Sequence, residues 1–254
     1  MSDIITIKNL SCAYGKSKVL NNISFCVEPQ SIVFIMGNNG AGKTTLLNCL
    51  LNNIKAVRGE IRYNGELLET ISKEKLARTV SYVPQNVNIN CDFKVKDYLI
   101  LGRNPYISLG NPKDSDYEIV EKYAVKTGII NIIDKPFNTL SGGQKQWVAI
   151  TRALVQETPI LIMDEPMSAL DIGKQADLLM LLKELALDGK TIILTSHNPN
   201  HCFYLRNSKV CLINDNAILS YSSAEMAFSL ENIKAVYGEH VFLSEDKTNI
   251  CFKV

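Results

Sequence analysis

The chain has 254 residues, 46% hydrophobic and 21% charged, long enough to bury a substantial core as one large domain or a core with a subdomain. Its 27 basic and 26 acidic residues leave a formal charge of +1 spread along the chain, so a basic footprint for nucleic acid is not evident. Seven scattered cysteines without a C-x-x-C pair argue against a disulfide framework and a zinc site, and suit a reducing cytosol.

The N-terminus MSDIITIKNL lacks the pattern of a signal peptide, and no apolar run reaches the ~18 residues a membrane span needs. Residues 4–10 and 23–27 have the β-branched content of strands, with Glu28-Pro29-Gln30 as a turn. Between them, Tyr14 leaves two readings open, a turn aromatic or a platform for a base. Ile32 to Met36 are apolar throughout, as in a parallel-sheet strand buried on both faces. They lead into Gly37, Asn38, Asn39, Gly40, Ala41, Gly42, Lys43, Thr44 and Thr45, which fit G-x-x-x-x-G-K-[ST]. Glycines let backbone N–H groups curl around phosphate oxygens, where a side chain would intrude. Lys43 can place a point charge on the β- and γ-phosphates, and the Thr44 hydroxyl can ligate Mg²⁺. A helix then opens at Thr44, its positive end toward the anion. These residues predict a nucleotide-phosphate site.

Further on, Asn64-Gly65 within Arg58–Glu66 signals a hairpin, so an antiparallel element accompanies the nucleotide core. Ser72–Arg78 reads as a short helix and Val80–Val83 as a strand ending at Pro84-Gln85. Residues 94–135 change to helical character, with Asp114 or Ser115 as a cap and Gly128 near a helix end. Leu140-Ser141-Gly142-Gly143-Gln144 precedes an apolar-periodic helix and reads as a helix-start turn or as an anion cradle. Ile160–Met163 is an apolar strand ending in Asp164 and Glu165, and ligands of open α/β sheets sit at such strand ends. Asp164 can hold Mg²⁺, and Glu165 can polarise a water. After a helix over about 173–187, the strand Thr191–Thr195 ends in Ser196-His197, which places His197 toward the same crevice. The tail reads as a hairpin around Asn214-Asp215-Asn216, a Ser229-capped helix ending at Gly238, and a last strand pair.

Taken together, the phosphate loop, Gln85, LSGGQ, the Asp164-Glu165 strand end, Ser168-Ala169-Leu170-Asp171 and His197 resemble the nucleotide-binding subunit of ATP-binding cassette transporters over essentially the whole chain. The resemblance implies an α/β P-loop NTPase core (about 1–88 and 159–254) with an antiparallel β-subdomain and an inserted helical subdomain (about 89–158). It implies that Tyr14 stacks on adenine, that Lys43 and the loop amides bind phosphates, and that Thr44, Gln85 and Asp164 serve Mg²⁺. It further implies Glu165 as base toward the attacking water and His197 on the γ-phosphate of ATP. Ser141, Gly142, Gly143 and Gln144 would complete the site of a second protomer in a homodimer, and Asp171 would signal across that interface. Gln85 and the helical insertion would pass motion to an integral membrane permease, itself fed by a substrate-binding protein, at the cytoplasmic face of the membrane.

Leu101-Gly102-Arg103-Asn104-Pro105-Tyr106 resembles the LGR-x-P-[HY] element of importer ATPases for iron–siderophore, haem and cobalamin, and NIKAVYG is similar to a late element of those subunits. The stretch His197-Asn198-Pro199-Asn200-His201 is similar to a variant in molybdate-type relatives. Met167 and Trp147 depart from the usual pattern, and Trp147 reads as packing. A soluble cassette protein of DNA repair or translation would carry tandem cassettes, zinc cysteines, coiled-coil insertions or basic arms, and none occurs here. An exporter ATPase fits the LGRNPY and VYG elements less well.

Overall fold

A computed structural model of the chain describes residues 3–15, 17–87, 92–107, 110–205 and 207–252. Compactness divides the chain into two units, 1–71 with 182–254 and 72–181, and the second boundary falls within a helix.

The first unit begins with β1 (Ile5–Tyr14), β2 (Ser17–Val27), β3 (Ile32–Gly37), α1 (Lys43–Leu50), β4 (Arg58–Tyr63) and β5 (Glu66–Leu67). The second contains α2 (Lys73–Thr79), β6 (Val80–Val83), α3 (Val95–Ile100), α4 (Asp114–Lys126), α5 (Gly142–Val155), β7 (Ile160–Met163) and most of α6 (Ile172–Leu187). The chain then returns to the first unit with β8 (Thr191–Thr195), α7 (Asn200–Tyr204), β9 (Lys209–Asn214), β10 (Ala217–Ser223), α8 (Ala224–Ala227), α9 (Leu230–Tyr237), β11 (Val241–Leu243) and β12 (Ile250–Phe252).

In the first unit, β2-β1-β4-β5 form an antiparallel sheet. Its last hairpin turns at Asn64 and Gly65, both at positive φ (49° and 82°), as a two-residue hairpin that matches strand twist requires. The second sheet of this unit has β3 between β8 and β9, parallel to both, with β10 antiparallel to β9. The apolar run of β3 is what makes it central. Each of Ile32 to Met36 is buried, and each such side chain contributes roughly 1.5–3 kcal/mol on leaving water. At its end a Cβ on Gly37 would collide with the Ile213 carbonyl of β9, so only glycine lets the two strands run this close there. The helix that follows is anchored at its far end, where the buried Tyr63 hydroxyl donates to the Leu50 carbonyl at 2.7 Å. This bond satisfies a carbonyl that the helix itself leaves unpaired.

In the second unit, β6 and β7 pair in parallel from Val80–Ile160 to Val83–Met163. Ser72 caps α2, its Oγ accepting the Lys75 N–H at 3.2 Å. The expected cap of α4 at Asp114 or Ser115 is replaced. Lys113 is the cap residue, and its N–H donates to Asp116 Oδ2 at 3.0 Å. The reason is Arg103, whose Nε donates to Asp116 Oδ1 at 3.0 Å and fixes that carboxylate at the third helical position. Arg103 is buried, reaches the Val155 carbonyl (3.0 Å) and Glu157 Oε2 (3.1 Å), and stacks over Tyr106 with 4.3 Å to the ring centre. Tyr106 in turn donates to the Gln156 carbonyl at 2.9 Å, and a Cβ on Gly102 would lie 2.5 Å from the Arg152 carbonyl. The LGRNPY element is thus a clamp on the C-terminal end of α5.

Candidate active site

The first unit carries the phosphate loop at the end of β3 and the His197 turn at the end of its neighbour β8. Gly40 and Gly42 take φ of 81° and 95°, and Ala41 N–H closes a turn onto the Asn38 carbonyl at 3.2 Å. Only the loop's rim (Asn38, Asn39, Gly40) and Thr44 are exposed; Gly37, Ala41, Gly42, Lys43 and Thr45 are buried. The Lys43 ammonium donates to the Gly37 and Asn38 carbonyls at 2.9 and 3.0 Å, which holds its charge over the loop. Tyr14 closes β1 opposite Ser17, and its side chain lies outside the described residues.

His197 is exposed, between Ser196 and Asn198, which bond to the ring of His201. Burial pushes the His201 imidazole down to about 4. This second histidine escaped the sequence reading, which weighed His201 only as part of a family variant. The available signal was its spacing, five residues after Ser196 and at the start of α7.

The second unit carries the carboxylates. Asp164 is 2% exposed and Glu165 9%. Burial, and after it the neighbouring Asp164 carboxylate, pushes the Tyr82 hydroxyl up to about 12. Glu165 takes φ of 46°, a left-handed conformation that costs a non-glycine residue roughly 1–3 kcal/mol. The turn that holds it there is Ser168, whose N–H and Oγ both donate to the Glu165 carbonyl, at 3.2 and 3.0 Å. Gln85 and Glu165, far apart in sequence, are brought together: Gln85 Nε2 donates to Glu165 Oε2 at 2.7 Å. That bond uses the amide nitrogen of Gln85, leaving its oxygen as the atom suited to a hard cation. The Gln85 amide oxygen and the Asp164 carboxylate of this unit are hard oxygen donors of the kind Mg²⁺ prefers, and the Thr44 hydroxyl of the first unit is another of that kind.

LSGGQ opens α5 in the same unit. Ser141 Oγ accepts the Gln144 N–H (3.3 Å), and Gln144 Oε1 accepts the Ser141 N–H (3.0 Å), a reciprocal capping box. Ser141, Gly142 and Gln144 are exposed and Gly143 half-buried. A Cβ on Gly142 would meet nothing within 4 Å, and one on Gly143 would come to 3.3 Å from the Ala169 carbonyl. Asp171 is exposed and caps α6, its Oδ1 accepting the Lys174 N–H at 2.9 Å. Trp147 is buried in α5, as expected of packing. Among the described residues, no helix is long and apolar enough to cross a membrane.

The family model for ABC transporters matches residues 20–168. A probable iron chelatin transport ATP-binding protein of Helicobacter pylori is 32% identical over 238 residues, covering 92% of this chain and 92% of that protein. The ferric enterobactin transport ATP-binding protein FepC of Escherichia coli is 32% identical over 242 residues, covering 94% and 89%. Among solved structures, a metal-chelate type ABC transporter in an inward-facing conformation superposes with a TM-score of 0.84 at 26% identity, covering 99% of this chain and 96% of that one.

Proposed function

Because the chain belongs to the ABC transporter family and is an ATP-hydrolysing subunit of it, we propose that it is the motor of an importer, a homodimer that closes on ATP beneath a membrane permease. The observation that carries the dimer is Gly142. Its own chain leaves room for a side chain there, and Ser141 and Gln144 already have local work as a cap. A glycine that the fold does not need suggests a surface approached by something else, which in this reading is the phosphate end of an ATP held by the partner protomer.

On that ATP, the amides of residues 37–45 and the Lys43 ammonium take the phosphates, Tyr14 takes the base, and His197 takes the γ-phosphate. Thr44, Gln85 and Asp164 would hold Mg²⁺, which when bound neutralises charge between the phosphates. Glu165 accepts a proton from the water whose oxygen attacks the γ-phosphorus, and ADP leaves with the bridging oxygen. The hydrogen bond from Gln85 orients that carboxylate before the water arrives. Asp171 relays closure across the dimer, and the helical segment 89–158 with Gln85 passes it to the permease at the cytoplasmic face of the membrane. The relatives' names favour an iron chelate as cargo, and the resemblance of Leu101–Tyr106 widens the class to siderophore, haem or cobalamin, delivered by a substrate-binding protein. The stretch His197–His201 favours a molybdate-type importer as the second reading.

Glu165→Gln tests the core of this. ATP binding survives, turnover falls at least about 100-fold, as for loss of a general base, and the protein dimerises in ATP. Near-normal hydrolysis by that variant removes Glu165 from its role. In the unaltered protein, hydrolysis per molecule falls on dilution; a constant rate from a monomer ends the dimer reading.

A further inference from the structure

The turn after β8 contains a linked set of hydrogen bonds around His201, and the exposed His197 sits within it in sequence. His201 and Ser196 are each 5% exposed, and Ser196 Oγ lies 2.9 Å from His201 Nδ1. Ser196 Oγ also donates to the Asn198 carbonyl at 3.3 Å and accepts the Asn198 N–H at 3.2 Å. The Asn198 side chain is oriented by Asn200, whose N–H donates to Asn198 Oδ1 at 3.0 Å. Asn198 Nδ2 therefore faces His201 Nε2, 3.4 Å away. An amide nitrogen can only donate, so Nε2 must be the bare nitrogen and the ring proton sits on Nδ1. Ser196 Oγ then accepts from the ring, accepts from Asn198 N–H, and spends its own proton on the Asn198 carbonyl, which fills all three of its positions.

The set extends to the end of the chain. The Asn200 side chain pairs with the backbone of Ile250 in β12, Oδ1 accepting its N–H at 2.6 Å and Nδ2 donating to its carbonyl at 3.3 Å. The C-terminal strand thus fastens Asn200, Asn200 orients Asn198, and Asn198 selects the tautomer of His201.

We infer that His201 is a positioning residue for His197: its Nδ1–H tautomer locks Ser196 and Asn198, the residues on either side of His197, into the single arrangement that presents the His197 ring. This rests on the reading of His197 as a γ-phosphate contact. Protonation of His201 at Nε2 would set two donors against each other, so burial, which holds the ring neutral, and the network agree.

The test uses the purified full chain and four variants. His197→Ala removes the proposed γ-phosphate contact and lowers kcat about 100-fold, as loss of a transition-state donor does, while ATP still binds. His201→Leu lowers kcat about tenfold, the equivalent of one positioned hydrogen bond, with KM for ATP within about twofold. His201→Asn, which returns a polar atom to the Nδ1 position, recovers most of that loss. Ser196→Ala, a change too small to disturb packing, gives the same drop in kcat at constant KM. Nitrogen-15 NMR of the three histidines, assigned by these variants, finds His201 protonated on Nδ1 and bare on Nε2 at neutral pH. Full hydrolysis by His197→Ala overturns the γ-phosphate reading itself. Collapse in His197→Ala with wild-type kcat in Ser196→Ala and His201→Leu, or an Nε2–H tautomer, overturns the positioning role alone.

Discussion

Two glycine-bearing loops in this chain look alike as strings and differ in what demands the glycine. In the phosphate loop the demand comes from the protein itself. Gly42 has φ of 95°, and a Cβ there would lie 2.7 Å from both the Val19 carbonyl and Leu20 Cδ2. In the LSGGQ turn, Gly142 has no positive φ, and a Cβ would meet open space. The first glycine builds the loop; the second keeps a surface bare. One sequence feature therefore reports on folding in one place and on an encounter in the other, and only the local geometry tells which.

The largest expected effect is on the first loop. Gly42→Ala forces a left-handed alanine into a backbone carbonyl and lowers stability by about 4 kcal/mol, with loss of nucleotide binding. Urea unfolding checks it, and an unchanged midpoint would mean that the loop can shift and that the contrast between the two glycines is false. Next is the clamp behind the second loop. Arg103→Met leaves Asp116 buried without its cation and should cost about 3 kcal/mol. Asp116 is held below the usual carboxylate range, first by the Lys113 N–H and then by Arg103. A lowered folded-state value means the stabilisation is full above the ordinary carboxylate range and fades as pH falls through the lowered one, so the penalty of Arg103→Met is largest at neutral pH.

The backbone around the phosphate loop was legible in the sequence, but the contrast between the two glycines was not. The apolar run 32–36, the G-x-x-x-x-G-K-T spacing and Asn64-Gly65 specify local backbone by residue type alone, and β3, α1 and the β4–β5 hairpin follow them. The start of α4 was not legible, because its cap is decided by Arg103, a residue 13 positions away that holds Asp116. The Ser196–His201 network was missed for the same reason. Its meaning lies in which atom of Asn198 faces the ring, and that is fixed by Asn200 and the C-terminal strand. Glu165 was read as a strand-end carboxylate, but its left-handed backbone comes from the Ser168 turn after it, which no spacing rule announces.

Gly142→Ala comes third and separates the two loops most directly. An alanine at the first helical position improves helix propensity, so stability should hold or rise by about 0.5 kcal/mol. Hydrolysis should nevertheless fall about 100-fold, roughly 2.7 kcal/mol, because the added methyl stands on the face that a partner's ATP approaches. Full activity in a stable Gly142→Ala protein would show that nothing comes close to that face during turnover. A variant both unstable and inactive would put Gly142 in the same class as Gly42.

The smallest effect should come from Trp147, one turn and a half into the helix that the LSGGQ turn opens. It is 8% exposed, and its indole N–H is buried without a hydrogen-bond acceptor, a group that costs free energy in the folded state. Trp147→Phe removes that donor together with part of the ring. The lost apolar contact and the relieved desolvation oppose each other, so the net change in stability should stay within about 1 kcal/mol. If α5 acts as a rigid support clamped at its far end by Arg103, the capping box of Ser141 and Gln144 is untouched and hydrolysis stays at the wild-type rate. A steep loss of hydrolysis in a protein of unchanged stability would instead mean that packing in the body of α5 sets the pose of its exposed first turn. The bare face at Gly142 would then depend on what lies beneath it as much as on what meets it from outside.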